Sequence, residues 1–340
     1  MPAAVYQGSR TVTVEEFDVP EPRAGQALLE VSHCGICGSD LHLIMEDWGA
    51  PGSVHGHEYS GVVAAVGDEA GEWAVGDRAV AGPGRGCGRC EMCTSARSNL
   101  CLEHKMGDGP PSLGAYAAYK LVEVDSLYRI PDKLDLRTAA LTEPVAVALR
   151  GVRRSGLQGP GRRALVTGAG PIGLLTIAVL RALGFDDVTV SEPGQLRRAL
   201  AAAIGATTVI TPDQLVEPRL PMDLVDSPYH AAFECSGRAD AMTAALGQLA
   251  RAGVLVLSGT GMIRPKFDSN RIILNELVIT GTVEYTPADF NAAIDLLASG
   301  SLPTDSLIEA RDVPLGGMQH AMEQLVAGEL AGKVMVVPHA

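Results

Sequence analysis

Positively charged residues are scarce in this chain. Its 340 residues include 27 lysines and arginines against 40 aspartates and glutamates, which gives a formal net charge of −13 at pH 7. A protein that binds nucleic acid needs a basic face to displace counterions from the phosphates. We therefore expect no nucleic-acid partner, and the same argument disfavours a zinc-ribbon DNA-binding module in any cysteine-rich segment.

Long hydrophobic runs are absent as well. The chain has no run of about 18 apolar residues, so it predicts no membrane-spanning helix. The N-terminal segment carries Glu15, Glu16 and Asp18 and lacks the apolar core of a secretory signal. Seven cysteines in such a chain are typical of metal-binding thiols in a reducing compartment. We expect a cytoplasmic protein with no membrane partner.

Aromatic residues make up only 4% of the chain, whereas hydrophobic residues make up 46% and glycines number 39. This composition favours a tightly packed α/β protein over a disordered one. The length suits two domains of ordinary size, each with its own core.

Four cysteines form the most specific motif of the chain. Cys87, Cys90, Cys93 and Cys101 follow one another at x2, x2 and x7 spacing. Thiols at this spacing can converge on one tetrahedral zinc ion, with Zn–S distances of about 2.3 Å. Disulfides or single core cysteines are the alternatives, and four cysteines so close together in a non-secreted chain disfavour both. The motif predicts a closed structural zinc site with no open position for chemistry.

A second set of chemically active side chains lies further towards the N-terminus: Cys34, Cys37, Ser39, His42, His57 and Glu58. The x2 spacing of the first two suggests half of another zinc knuckle, with both thiols as ligands. A catalytic zinc is the better assignment: a thiolate from Cys37, the imidazole of His57, one carboxylate, and a fourth position left to water or substrate.

One candidate carboxylate is Glu143, which interrupts an apolar run in residues 138–149, a predicted helix. A carboxylate buried there without a partner would cost several kcal/mol or stay protonated. One interpretation is an acid in the first turn of the helix that faces water and the helix dipole. The other makes Glu143 a ligand or near neighbour of the catalytic metal.

A glycine-rich segment joins a predicted strand, residues 163–167, to an apolar helix, residues 174–183. It consists of Gly168, Ala169, Gly170, Pro171, Ile172 and Gly173. Glycines at these places let the backbone approach a pyrophosphate, whose charge meets the helix N-terminus. Glu192 lies nineteen residues beyond Gly173, near the position of the acid that holds an adenosine ribose. Because this acid repels a 2′-phosphate, NAD is favoured over NADP, although Arg197 and Arg198 soften that preference.

Further strands follow at the intervals that a doubly wound parallel sheet requires. With residues 163–167 they make six: 187–191, 207–210, 231–235, 254–258 and 277–280. Ser258 and Gly259 fall at the carboxyl end of one of them, where such sheets bind their ligand.

Together these motifs resemble those of the zinc-dependent medium-chain dehydrogenase/reductase family, the alcohol and polyol dehydrogenases. The resemblance covers essentially the whole chain and includes CGSDLH (37–42), GHE (56–58), the four cysteines, Glu143-Pro144, the glycine segment and GKV (332–334). It implies a mostly-β GroES-like catalytic domain from residues 1–150 and 285–340, with two zinc sites. A Rossmann dinucleotide-binding domain would occupy residues 151–284.

The resemblance also implies roles for the site residues. Cys37 rather than Cys34 would bind the catalytic zinc, with His57 second and Glu143 third, as in the sorbitol, glucose and threonine dehydrogenase branch. Glu58 would be a nearby carboxylate that approaches the zinc when water exchanges. Ser39 would take the substrate proton and pass it through the nicotinamide ribose towards His42. Zinc would polarise the substrate oxygen while hydride passes to the nicotinamide.

The predicted function is the interconversion of a secondary alcohol, of polyol, sugar or cyclitol type, and its ketone. A simple alcohol or L-threonine is the alternative substrate; Arg150 stands where polyol branches often have histidine and leaves the substrate contacts open. A catalytically silent NAD-binding regulatory protein is the non-enzyme alternative, although the residues assigned to catalysis are all present. The family leads us to expect a homodimer or homotetramer.

Overall fold

The computed structural model describes residues 1–82, 86–103 and 113–340. Its strands are β1 (Pro2–Gly8), β2 (Thr11–Glu16), β3 (Gln26–Gly35), β4 (Glu58–Val66), β5 (Arg78–Ala81), β6 (Tyr119–Glu123), β7 (Leu127–Arg129), β8 (Arg163–Thr167), β9 (Asp187–Ser191), β10 (Thr208–Ile210), β11 (Tyr229–Glu234), β12 (Leu249–Leu257), β13 (Val278–Gly281), β14 (Val313–Pro314) and β15 (Met335–Val337). Its helices are α1 (Gly38–Met45), α2 (Glu91–Thr94), α3 (Leu136–Ala139), α4 (Thr142–Arg154), α5 (Pro171–Ala182), α6 (Gln195–Ala203), α7 (Ala239–Gly247), α8 (Ser269–Leu274), α9 (Pro287–Ala298), α10 (Thr304–Leu307) and α11 (Met318–Ala327).

The chain divides into two compact units. The first unit comprises Met1–Pro144, Tyr285–Gly300 and Ile308–Ala340, and the second unit comprises Val145–Glu284 and Ser301–Leu307. Among the described residues, no helix combines the length and the apolar character needed to cross a membrane.

The second unit is built on a parallel sheet of six strands in the order β10-β9-β8-β11-β12-β13. The predicted doubly wound sheet is therefore confirmed. Its central strand β8 is buried over Ala164–Thr167, as expected when helices cover both faces of a sheet. The strand order reverses between β8 and β11, and ligands of such sheets bind at the carboxyl ends of the strands at this point.

Two helices differ from their predicted bounds. Residues 138–149 do not form one helix; α3 ends at Ala139, and α4 begins at Thr142. The hydroxyl of Thr142 donates to the carbonyl of Ala139 at 2.7 Å and so occupies an acceptor at the end of α3. Helix α5 begins at Pro171 rather than at residue 174, because proline is well suited to the first helical position, where no N–H is needed.

The first unit is mostly β, as predicted for a GroES-like domain. Its described residues form a sheet of seven strands in the order β14-β15-β3-β4-β5-β7, with β6 also paired to β3. Strand β3 pairs antiparallel with β4, so that Gly35 lies opposite Glu58, and with β15, so that Gly35 also lies opposite Met335. This register brings the end of β3, the start of β4 and the start of β15 to one place.

Candidate active site

The four cysteines of the predicted structural zinc site lie together. Their sulfur atoms are all within 4.8 Å of one another: Cys87, Cys90, Cys93 and Cys101. Backbone N–H groups donate to three of the sulfurs, from Cys90 to Cys87 at 3.3 Å, from Cys93 to Cys90 at 3.5 Å and from Cys87 to Cys101 at 3.4 Å. Such bonds stabilise thiolates. Four converging sulfur donors fit a tetrahedral zinc ion of the structural type.

The local backbone allows this convergence. Gly86 has a φ of +69°, and a Cβ there would lie 2.7 Å from Cys93 Sγ. Cys90 is the N-cap of α2, and its sulfur accepts the N–H of Cys93. This hydrogen bond is the main reason that the pKa of Cys90 falls to about 6, whereas desolvation raises the pKa of Cys93 to about 12. Metal binding in the lobe is therefore expected to release protons.

A second group of ligand atoms lies in the first unit. Cys37, His57 and Glu58 each offer one atom, and these atoms are all within 4.8 Å of one another. Cys37 is the N-cap of α1, and Glu58 is the first residue of β4, so both stand at the ends of regular elements. A Cβ on Gly35 would lie 2.4 Å from a carboxylate oxygen of Glu58, so this close approach requires glycine.

Cys34 lies apart from this group. It is fully buried in the core of the first unit, and burial raises the pKa of its thiol well above the usual range. Its sulfur does not belong to the group of ligand atoms that lie within 4.8 Å of one another. The surroundings of Cys34 are those of a packed core residue.

Asp40 connects Cys37 and His57. Its side chain is fully buried, and its Oδ2 accepts the backbone N–H of Cys37 at 2.9 Å. Its Oδ1 lies 3.8 Å from His57 Nδ1 and has no hydrogen-bond partner among the described residues. Pairing this orphaned oxygen with Nδ1–H would leave Nε2 of His57 free as a ligand, which is the arrangement that zinc-binding histidines adopt. The donor set and this oxygen both fit a bound zinc ion.

The charges around His57 favour its protonated form in the absence of a metal. Packing around the ring lowers the pKa of His57, but the negative charges of Asp40 and Cys37 outweigh this and hold the pKa well above its usual value. A metal ion would take the place of that proton.

Ser39 and His42 lie on α1, the helix that begins after Cys37. Ser39 Oγ lies 3.4 Å from His57 Nε2 and so borders the metal-ligand group. His42 stacks on the ring of Trp48 with 5.0 Å between centroids, and its Nδ1 lies 3.0 Å from a carboxylate oxygen of Glu46.

Lys333 is a buried cation beside Glu58. Its Nζ lies 2.7 Å from both carboxylate oxygens and donates to the carbonyl of Ile36 at 3.0 Å. Burial lowers the pKa of Lys333, but the charges of Glu58 and Cys37 more than reverse this, so the lysine stays protonated. Lys333 therefore offsets part of the negative charge gathered at the site.

Glu143 lies in the first turn of α4, outside the group within 4.8 Å. Desolvation raises its pKa to about 7, and the charge of Glu58 acts in the same direction, while His57 and Lys333 oppose it. Its carboxylate also has a hydrogen bond to the side chain of Tyr285. These neighbours agree with the interpretation of Glu143 as a near neighbour of the metal group.

The glycine segment of the second unit forms the turn from β8 to α5. Gly168 has a φ of +88°, and a Cβ there would lie 2.8 Å from Ser236 Cβ. A Cβ on Gly173 would lie 2.0 Å from the carbonyl oxygen of Gly168. Gly170 is the N-cap of α5, followed by Pro171 and Ile172 in its first turn. The backbone of this turn is therefore closely packed. The N–H groups at the N-terminus of the helix are available to bind a pyrophosphate.

Glu192 follows β9 and points back to this turn. Its buried carboxylate accepts the N–H of Ala169 at 2.7 Å and that of Gly194 at 2.8 Å. The guanidinium of Arg198 donates to the carbonyl of Glu192 at 2.9 Å, and Arg197 lies in the same helix, α6. The carboxylate is therefore fixed beside the glycine segment.

Ser258 and Gly259 follow β12 at the same edge of the sheet. The N–H groups of both donate to the carbonyl of Glu234, each at 2.9 Å. A Cβ on Gly259 would lie 2.2 Å from the backbone nitrogen of Gly237, so the loops after β11 and β12 are in close contact.

Sequence reasoning gave no separate role to four residues that lie in or around the metal group: Asp40, Tyr116, Tyr285 and Lys333. Asp40 has a local signal, since an acid at the third position of a helix completes a capping box with the N-cap, here Cys37. Lys333 stands in the GKV segment (332–334) that the resemblance includes, but nothing in the sequence links it to Glu58. Tyr116 and Tyr285 have no signal, because their partners lie far away in the sequence.

Comparison with known proteins supports the fold of each of the two units. The alcohol dehydrogenase GroES-like domain matches residues 23–132, and the zinc-binding dehydrogenase domain matches residues 171–299. Sorbitol dehydrogenase of Bacillus subtilis (strain 168) is 34% identical, over 100% of this chain and 98% of its own. L-threonine 3-dehydrogenase of Thermococcus kodakarensis is 34% identical, over 95% of this chain and 94% of its own.

A solved structure gives the same result. A protein from Sinorhizobium meliloti 1021, described as a zinc-binding dehydrogenase bound to NADP, has a TM-score of 0.87 and 28% identity and covers 99% of both chains. The resemblance inferred from the motifs is confirmed, and the silent regulatory alternative loses its support. The chain therefore belongs to the zinc-dependent alcohol and polyol dehydrogenases of the medium-chain dehydrogenase/reductase family.

Proposed function

We propose that this oxidoreductase interconverts a secondary alcohol of polyol, sugar or cyclitol type and its ketone, with NAD as the hydride carrier. The group formed by Cys37, His57 and Glu58 carries the proposal, because it offers a mixed, incomplete ligand set of the kind that catalytic zinc uses. Similarity over the full chain to a sorbitol dehydrogenase favours a polyol. L-threonine is the second candidate substrate, favoured by the threonine dehydrogenase, which is also 34% identical to this chain.

The two units divide the work in this proposal. The first unit holds the catalytic zinc through Cys37, His57 and a carboxylate, and a structural zinc through the four cysteines. The second unit holds the dinucleotide at the carboxyl edge of its parallel sheet, against the segment Gly168–Gly173. Zinc supplies a Lewis acid that lowers the pKa of the substrate hydroxyl, and NAD supplies the hydride acceptor.

Protein side chains accept and transfer the proton of the substrate hydroxyl. Ser39 borders the ligand group and accepts the proton of the substrate hydroxyl, which then passes towards His42 on the same helix. A carboxylate oxygen of Glu46 lies 3.0 Å from Nδ1 of His42, and the Trp48 ring stacks on the imidazole at 5.0 Å between centroids. An imidazole suits this terminal position because one ring nitrogen can accept a proton while the other donates one.

Two carboxylates compete for the third ligand position. Glu58 lies within 4.8 Å of the other ligand atoms but is paired with Lys333, whereas Glu143 is paired with the side chain of Tyr285. We assign the resident ligand role to Glu143 and a transient one to Glu58, because leaving Lys333 without a counterion in a buried place is costly.

NAD is the proposed cofactor, and NADP the weaker one. The carboxylate of Glu192 is fixed by two N–H groups and presents negative charge beside the glycine segment. It can accept hydrogen bonds from ribose hydroxyls and repels a 2′-phosphate. Arg198 donates to backbone carbonyls of Glu192 and Pro193, which engages its guanidinium. A ratio of kcat/KM for NAD over NADP below one would contradict this assignment.

We further infer a homo-oligomer in the cytoplasm. Strand β13 is an edge of the six-stranded sheet, and Val278 on it is half exposed. Exposed apolar side chains lie in the adjoining segments: Met262, Ile263, Ile273 and Leu274. An open edge beside apolar side chains favours pairing with a second copy. All seven cysteines are free, as suits a reducing compartment. Light scattering would give the number of subunits.

A substrate panel tests the proposed function. Polyols, aminocyclitols, L-threonine and simple alcohols would be offered to the zinc-loaded enzyme with NAD and with NADP. We expect the highest kcat/KM for a polyol-type secondary alcohol with NAD, loss of activity after chelation, and recovery on adding zinc. Turnover that survives complete zinc removal would refute the metal assignment, and a clear maximum for L-threonine would select the second candidate.

A further inference from the structure

Tyr116 is a buried residue whose hydroxyl reaches the side chain that joins two of the proposed zinc ligands. It is fully buried, and its hydroxyl lies 2.6 Å from Asp40 Oδ2 and 3.1 Å from the carbonyl oxygen of Gly35. A phenol has one proton to donate, and the shorter, charge-assisted bond to the carboxylate is the stronger of the two.

The ring of Tyr116 has little freedom to move. The N–H of Tyr116 donates to the carbonyl of His55 at 3.0 Å, and the N–H of Ala115 donates to that of Gly56 at 2.9 Å. Gly56 has a φ of +95°, and a Cβ on it would lie 2.9 Å from the backbone nitrogen of Tyr116 and 3.0 Å from its Cγ. The phenol is therefore packed against the turn that leads directly into His57.

The hydroxyl of Tyr116 thereby settles the orientation of Asp40. Oδ2 receives two donors, the phenol at 2.6 Å and the N–H of Cys37 at 2.9 Å. This leaves the other oxygen, Oδ1, as the atom that faces His57 Nδ1 at 3.8 Å. Burial raises the pKa of Tyr116 well above its usual range, with the charge of Asp40 acting in the same direction, so the phenol remains a donor.

We propose that Tyr116 is a positioning residue of the catalytic zinc site, which acts through Asp40 to hold the imidazole of His57 and the N-terminus of α1 in the metal-binding arrangement. The inference rests on the proposed function, in that Cys37 and His57 are taken as zinc ligands. Partners of metal ligands typically contribute 10- to 100-fold to metal affinity. Because Tyr116 is one hydrogen bond further from the metal than Asp40, we expect it to contribute about tenfold to zinc affinity, the lower end of that range.

The variant Tyr116→Phe tests the proposal in the full-length, zinc-loaded protein. Competition with a chromophoric chelator would measure the dissociation constants of both zinc ions. We expect the constant of one site to rise about tenfold and that of the other to stay unchanged. Replacing zinc with Co²⁺ identifies the weakened site, because absorption from sulfur-bound cobalt is far stronger for four thiolates than for one.

Tyr6 offers a matched control. It is also buried in the first unit, and its hydroxyl donates to an aspartate, Asp47, at 2.5 Å. Tyr6→Phe removes the same kind of bond away from the ligand group, so both zinc constants should match the wild type. An equal loss of zinc in Tyr6→Phe would overturn the proposal by showing a general effect of removing a buried phenol hydroxyl.

A double-mutant cycle tests the route through Asp40. In an Asp40→Ala background, Tyr116→Phe should weaken zinc binding no further, because the carboxylate that it orients is gone. An additive loss would overturn this route. Wild-type zinc binding in Tyr116→Phe, in a protein that binds two zinc ions, would overturn this inference alone. A wild type that binds only the four-cysteine zinc would instead remove the proposed catalytic site together with the inference.

Discussion

The two proposed metal sites of this protein are built in different ways. In the four-cysteine lobe the ligands come from residues 87–101, and backbone N–H groups of the same segment donate to the sulfurs. In the group of Cys37, His57 and Glu58, Asp40 lies three positions after Cys37, but the other supporting side chains come from distant parts of the chain: Tyr116, Glu143, Tyr285 and Lys333.

The difference follows from what each site has to do. A closed site needs only four equivalent donors, which one short segment can supply. An open site must hold several charged groups together while one position stays available, so each charge needs a partner of its own. Variants at the two sites should therefore fail in different ways.

The largest expected effect is on turnover at the open site. His57→Ala removes a proposed zinc ligand, and we expect kcat to fall by more than about 1,000-fold, since a catalytic metal supplies several kcal/mol of transition-state stabilisation. NAD binding, measured by calorimetry, should persist because the proposed dinucleotide site lies in the second unit. Near-wild-type kcat in this variant would show that His57 holds no catalytic metal.

The next effect is on stability at the same site. Lys333→Met leaves Glu58 buried without its cation, and breaking such a pair typically costs about 3–5 kcal/mol of unfolding free energy. Denaturant unfolding of the metal-free protein would measure this loss. Lys120→Met is the control, because Lys120 donates to the carbonyl of Leu113 and has no carboxylate partner among the described residues. Equal losses in both variants would contradict a special role for the Lys333–Glu58 pair.

A smaller loss of stability is expected from the closed site. Cys90→Ser removes one of the four proposed sulfur ligands. The loss of a structural metal lowers stability more than an ordinary surface mutation does. We expect the Tm of the zinc-loaded protein to fall by roughly 5 °C. After chelation, wild type and variant should melt together. The prediction fails if the two zinc-loaded proteins have the same Tm.

The smallest effect is a pH dependence of zinc affinity at the open site. The pKa of Glu143 is raised to about 7 in the metal-free protein, so below this pH a proton competes with zinc. If Glu143 is a ligand, the apparent affinity should fall by up to about tenfold per pH unit as the pH drops below 7. Zinc affinity would be measured between pH 6 and 8 for the wild type and for Glu143→Gln. The difference between the two pH profiles isolates the contribution of Glu143. Parallel pH profiles would exclude Glu143 as a ligand.

The same shift affects the stability of the metal-free protein. Since the folded pKa of Glu143 lies above its unfolded value of 4.5, its contribution is fully present below pH 4.5 and is lost as the pH rises through about 7. Zinc binding would remove this dependence by holding the carboxylate ionised.

Much of the architecture could be predicted from local patterns. The six strands of the parallel sheet were predicted because each is a short apolar run at a regular interval. The division of residues 138–149 was not, although Pro144 cannot donate the N–H that a continuous helix would pair with the carbonyl of Ala140. The early start of α5 had a signal in Pro171, which the apolar periodicity of the following residues outweighed.

The sequence by itself determined the family, the parallel sheet, the four-cysteine motif and the glycine segment, because each depends on residues that are close together along the chain. Only the tertiary structure decided which partners hold the open site. Lys333 is 275 positions from Glu58, and Tyr116 is 76 positions from Asp40. No local periodicity encodes such pairs, since a buried charge takes whichever partner the packing of distant strands brings within hydrogen-bonding distance.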